Sequence, residues 1–145
     1  MTRFPAAMGI INASLKTHKS YCEFPSNKLL ANALRIFRNT GYIWGFCFMT
    51  PQKRYAKLYP RIRVFLKYIN LTKSLIRNIR TFKRTRSNYK IFKSKSVKRD
   101  LLQHKLYMIT TSAGLTMTTL ANLYQAYNKQ LIPKFGGKYL AEIYT

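Results

Sequence analysis

The chain has 145 residues, 27 Lys and Arg against three acids, and a formal net charge of +24 at pH 7. Its length suits one domain or two small lobes, and 47% apolar residues supply a core, which excludes wholesale disorder. So uneven a charge balance excludes self-neutralisation by internal ion pairs and points to a polyanionic partner, nucleic acid ahead of an anionic membrane.

Taken in chain order, Ala6 to about Lys16 carries Met8, Ile11 and Leu15 at helical spacing and predicts a short amphipathic helix. Tyr21 to Phe24 predicts a brief strand stopped by Pro25. Ser26 then stands as the N-cap of a helix whose face is Leu30, Ala33, Leu34 and Phe37, with Gly41 closing it. Lys28, near that start, reads as surface charge. Tyr42 to Met49 is aromatic and apolar, a strand that Thr50-Pro51 ends. Arg61 to Tyr68 alternates, with Ile62, Val64, Leu66 and Tyr68 predicted to face a core. Together these make an α-β-α-β-β lobe over residues 1–70.

Residues 71–105 read as a basic connector with a short helix, marked by Leu75, Ile76 and Ile79, and a strand. Between Lys53 and Lys105 lie 18 of the 27 basic residues and one acid, so this stretch is expected to lie on phosphate. Phe82 and Tyr89 sit within it as stacking candidates. Residues 106–145 then predict a strand from Leu106 to Thr110, a loop from Thr111 to Gly114 and a helix capped by Thr118. Leu120, Leu123, Tyr124 and Tyr127 form that helix's face; a Gly136-Gly137 turn and a strand from Lys138 to Tyr144 follow. The expected fold class is α+β in two small lobes, the second (71–145) mostly β with one helix.

The chemistry concentrates in Thr110-Thr111-Ser112-Ala113-Gly114, followed by Met117-Thr118. Clustered hydroxyls both donate to and accept from bases, and glycine lets the backbone come close to a ligand. Cys22 and Cys47 lack CxxC spacing and neighbouring histidines, so they read as part-buried thiols in strands. His18 and His104 are isolated and read as solvent- or RNA-facing, with no metal site. Three acids far apart, with no nucleophile or phosphate-loop motif, lead us to expect no enzyme, no cofactor and no small-molecule substrate. Leu106 to Asn128 is uncharged and long enough to cross a bilayer. Its Thr, Ser, Asn and Gln interrupt any apolar face, so stable membrane insertion is not expected. The N-terminus reads as neither a secretory signal nor a transit peptide.

Three blocks resemble, in order, the small-subunit ribosomal protein eight family. The first is Ile11-Asn12-Ala13 with Phe24-Pro25-Ser26-Asn27-Lys28-Leu29 and Gly41-Tyr42-Ile43. The second is Thr85-Arg86-Ser87-Asn88-Tyr89-Lys90-Ile91-Phe92, and the third is Thr110 to Gly114 with Met117-Thr118 and Gly136-Gly137. The resemblance spans nearly the whole chain. It implies a C-terminal lobe docked on the central domain of small-subunit ribosomal RNA, with ribosomal proteins as neighbours. Carried onto this sequence, Thr110, Thr111 and Ser112 are the hydroxyl contacts and Gly114 the close-approach residue. Ala113, Gly136, Gly137, Lys138, Arg84, Arg86, Asn88, Lys90 and Phe92 complete the RNA-binding set.

The chain departs from the family pattern in places. Ala113 stands where the family usually has Lys or Arg, removing a phosphate contact, and Lys138 replaces a Glu, reversing a charge. Ser87-Asn88 replaces Pro-Gly, and Phe92 replaces Tyr. With a composition rich in Lys, Asn, Ile, Phe and Tyr, this drift points to a divergent mitochondrial ribosome in the matrix, ahead of a plastid or a bacterial cytoplasm. The rival reading is a basic peripheral membrane protein or a nonspecific nucleic-acid binder. The two-residue alternation of 61–68 counts against a helix lying on a membrane surface.

Overall fold

Phe4, Ala7, Met8, Ile11 and Leu15 recur at helical spacing, and all are buried along α1, Arg3–Lys16. The computed structural model describes residues 3–49, 60–81, 105–111, 114–119 and 138–145. The chain divides into two units, Met1–Arg77 and Asn78–Thr145. In the first, α1 ends in a left-handed cap. His18 takes φ 53°, its N–H donating to the Leu15 carbonyl (3.3 Å) while that of Lys19 reaches Ser14 (3.0 Å).

β1 is Tyr21–Pro25 and α2 is Lys28–Asn39. The N-cap of α2 is Asn27, not Ser26: the Asn27 side chain accepts from the Leu29 N–H at 3.4 Å. Ser26 is committed elsewhere, since its N–H donates to the Pro60 carbonyl at 2.7 Å and prolongs the sheet ladder by one rung. The expected stripe of Leu30, Ala33, Leu34 and Phe37 is buried, at roughly 1.5–3 kcal/mol for each large side chain. Gly41, at φ +82°, closes α2. Its N–H donates to Arg38 and that of Tyr42 to Phe37, the pairing that a left-handed C′ residue allows.

β2 (Ile43–Met49) and β3 (Arg61–Leu66) complete an antiparallel sheet in the order β1-β3-β2. α1 packs against β1 and α2 against β2. Cys22, Phe24, Ile62, Val64, Leu66 and Ile43 are buried in the sheet layer of this core. The alternation of β3 stops at Leu66, two residues short of Tyr68. Leu66 makes the last rung, its N–H donating to Ser20, and Tyr68 opens β4, Tyr68–Asn70, paired with β5, Lys73–Ser74. Tyr68 is half-buried, and its hydroxyl donates to the Lys19 carbonyl at 2.6 Å.

Residues 71–81 form no helix. Leu75, Ile76 and Ile79 fit a helical stripe, but Asn78–Thr81 is a strand, β6, paired with the last strand of the chain. Ile76 and Ile79 are nonetheless buried, as the stripe implied. In the second unit, β7 (Leu106–Thr111), β8 (Gly114–Thr119) and β9 (Lys138–Tyr144) join β6 in an antiparallel sheet of order β6-β9-β7-β8. Met108, Ala141, Ile143 and Ile79 share one face by register, while Tyr107 and Ile109 are buried from the other.

Thr118 is therefore a strand residue and caps no helix. Leu115-Thr116-Met117-Thr118-Thr119 is rich in β-branched residues and pairs with Leu106–Thr110 of β7. The same pairing makes the described part of the uncharged stretch from Leu106 a hairpin, and among the described residues no helix is long and apolar enough to cross a membrane. Leu120, Leu123, Tyr124, Tyr127, Gly136 and Gly137 lie outside the described residues. The class is α+β, with both described helices in the N-terminal unit and strands in the C-terminal one.

Both cysteines are free, Cys22 buried and Cys47 half-buried. Burial pushes the Cys22 thiol up to about 11 from 9.0, against a smaller opposing effect of a hydrogen bond with Ser14. At pH 8 the thiolate fraction is then about 100-fold below that of an ordinary thiol. Iodoacetamide should label Cys22 about 100-fold more slowly in the folded protein than in urea, read by mass spectrometry of the labelled peptide. Equal rates in the two states would show an open thiol and contradict this core. The raised value also sets a sign. The unfolded chain releases this proton first, so the stabilisation is complete below pH 9 and is lost as pH climbs toward 11.

Candidate nucleic-acid interface

β7 and β8 run antiparallel with Thr110 opposite Leu115 and Thr111 opposite Gly114. The hydroxyl-and-glycine segment thus joins two strands of one hairpin instead of leading from a strand into a helix. Ser112 and Ala113, between the paired ends in sequence, lie outside the described residues. On the other side of β7, Thr110 pairs with Lys138, which opens β9. The structure therefore brings Thr110, Thr111, Gly114 and Lys138 together at one end of the second sheet. Arg84, Arg86, Asn88, Lys90, Phe92, Gly136 and Gly137 lie outside the described residues, as do Phe82, Tyr89 and His104.

Gly114 has φ +119°, a backbone angle that side-chain-bearing residues rarely adopt. It is exposed, and among the described residues no atom beyond its chain neighbours lies within 4 Å of where a Cβ would stand. Backbone geometry, not crowding inside the protein, requires glycine here.

Thr116 and Thr118 extend the hydroxyl series along β8. Thr116 is exposed, and the Thr118 hydroxyl donates to the Thr119 carbonyl at 2.7 Å. Reading Thr118 as a helix cap hid this row. The strict alternation of apolar and hydroxyl side chains from Leu115 to Thr118 was the signal that reveals it.

The described acids are already engaged within the chain. Glu23 takes two contacts from its cross-strand neighbour Arg63, Nη2 at 2.6 Å and Nε at 2.7 Å, with Arg61 Nε at 3.9 Å. That hydrogen-bonded carboxylate pushes the Arg63 guanidinium above its already high ordinary value. Glu142 is buried opposite Arg80 in register and accepts a hydrogen bond from the Tyr144 hydroxyl at 3.0 Å. With these two acids absorbed, the outward field is set by Lys and Arg. Among the described residues no three His, Cys, Asp or Glu side chains gather as a metal site.

The chain is α+β and strongly cationic, with Thr111 paired to Gly114 at one end of its second sheet. The chain belongs to the ribosomal protein S8 family, whose model matches residues 6–144. It is accordingly a small-subunit ribosomal protein that binds ribosomal RNA, in a family of structural proteins. No individual curated protein matches the chain significantly.

Proposed function

We propose that this protein holds the central domain of small-subunit ribosomal RNA in a mitochondrial ribosome, using the β7–β8 turn for recognition and its Lys and Arg for affinity. The observation that carries the reading is the paired end of the two strands: Thr111 set against an exposed Gly114 at φ +119°, with no described atom beyond its chain neighbours within 4 Å of where a Cβ would stand. Side chains cannot read the deep, narrow major groove of an A-form helix, so specific contact needs a distorted site reached by small polar groups. Thr110, Thr111 and Ser112 offer hydroxyls, while Lys138, Arg84, Arg86 and Lys90 offer phosphate contacts; Asn88 and Phe92 accompany them in the basic tract. The mitochondrial assignment is supported by the composition and by the departures at Ala113 and Lys138. The protein's role is to clamp and position RNA, with no chemistry of its own.

The test is crosslinking and sequencing of RNA bound to the tagged protein in purified mitochondria. One dominant peak in the central domain is expected. Ser112→Ala combined with Gly114→Ala should reduce it about tenfold, since forcing a Cβ residue to a strained angle costs about 1–3 kcal/mol. Reads scattered without a dominant site would defeat the reading and favour indiscriminate polyanion binding.

A further inference from the structure

The N-terminal sheet buries one face against two helices, and its other face is laid out differently. Register places Tyr21 of β1 beside Phe65 of β3, and Phe65 beside Gly45 of β2, which has no side chain to cover it. Tyr21 is 45% and Phe65 39% exposed. Arg61 and Arg63 follow Phe65 on the same face by the two-residue period of the strand. The Arg63 guanidinium lies over the Tyr21 ring, 4.6 Å from its centroid. Beside this row, Trp44 is the extra residue at a β2 irregularity between Ile43 and Gly45. It is 68% exposed, with the Lys67 ammonium 4.6 Å from its ring centroid.

We infer that this open face is a second RNA contact, on which unpaired bases stack against Tyr21, Phe65 and Trp44 while Arg61 and Lys67 meet the phosphates. The inference rests on the protein's RNA-binding role and extends it to a different unit from the β7–β8 turn. Its occupant is single-stranded RNA because the rings are interleaved with cations. The one acid on the face, Glu23, is already bonded to Arg63. Rings exposed within a positive field are what sequence-tolerant single-strand binding uses, each stacked base adding to affinity without being read. Gly45, on the edge strand β2, places no side chain beside Phe65 of the central strand, so a planar base can lie over that ring.

Trp44 is the only tryptophan in the chain and reports directly on stacking. Titrating the full-length protein with an oligouridylate of about twelve nucleotides should quench its fluorescence, since one binding platform spans ~4–16 nucleotides. Phe65→Leu and Tyr21→Leu keep an apolar strand but remove the stacking ring. Each should weaken oligouridylate binding about tenfold with no change in salt slope, while Arg61→Ala should lower the slope by about one unit. Circular dichroism verifies that the variants fold.

Unquenched Trp44 together with unchanged affinity in both Leu variants would overturn the inference. So would a benzophenone amino acid in place of Phe65 crosslinking to a protein, not RNA, in intact small subunits. Neither outcome touches the ribosomal role, which fails separately if the wild-type protein does not bind the ribosomal RNA fragment.

Discussion

Raising monovalent salt from about 50 to about 200 mM should weaken binding of this protein to a central-domain ribosomal RNA fragment by about 1,000-fold or more. The expectation follows from 24 unneutralised positive charges and from the internal engagement of both described acids. Each phosphate met by Lys or Arg releases a condensed counterion, and the logarithm of affinity falls in proportion to the number of such contacts. Anisotropy titrations across the salt series give the slope. Lys90→Ala should reduce that slope by about 0.9 and weaken specific and random RNA alike. Ser112→Ala should leave the slope unchanged and reduce only the preference for the specific fragment. A flat salt dependence would mean that charge does not supply the affinity. Equal effects of the two variants on both RNAs would remove the division between clamp and turn.

Replacing Phe37 by Ala should destabilise the N-terminal unit by about 3–5 kcal/mol. Phe37 is fully buried on α2 with Leu34 and Leu30 beside it on the same stripe, so truncation leaves a cavity that neighbouring rotamers fill only in part. Against a typical domain stability of about 5–15 kcal/mol this is enough to populate the unfolded state. Phe65→Ala provides the internal contrast: it is the same substitution on the exposed face of the same unit and should cost well under half as much. Urea denaturation without RNA, at moderate salt to screen self-repulsion, measures both. Equal losses would mean that the two faces of the sheet are not buried and open as described.

Much of the N-terminal unit was legible because its signals are local. Leu30, Ala33, Leu34 and Phe37 lie within a few residues of one another, and Gly41 needs only its own φ of +82° and two carbonyls of the preceding turn. The one-residue error at the α2 start shows where locality ends. Ser26 and Asn27 are equally good caps by type, and Pro60, distant in sequence, takes the Ser26 N–H and decides between them. The hydroxyl-and-glycine segment was legible in composition, and its resemblance to a known family matched the family later shown. Its shape was not legible, because a threonine row reads as a loop or cap until a partner strand is known.

Composition and local order by themselves pointed to a polyanionic partner and determined that the chain is α+β and that Gly41 closes α2. Charge balance is a sum over the chain, and helical stripes depend on nothing beyond a few neighbouring residues. Tertiary structure alone decided that Ile79 belongs to a strand, that Gly114 to Thr119 returns along β7, and that Tyr21 and Phe65 stand side by side on an open face. In each case the deciding partner is far along the chain: β6 pairs with β9, and β1 with β3. A strand's identity is completed by the edge it pairs with, so a sequence window too short to include both edges leaves the choice open.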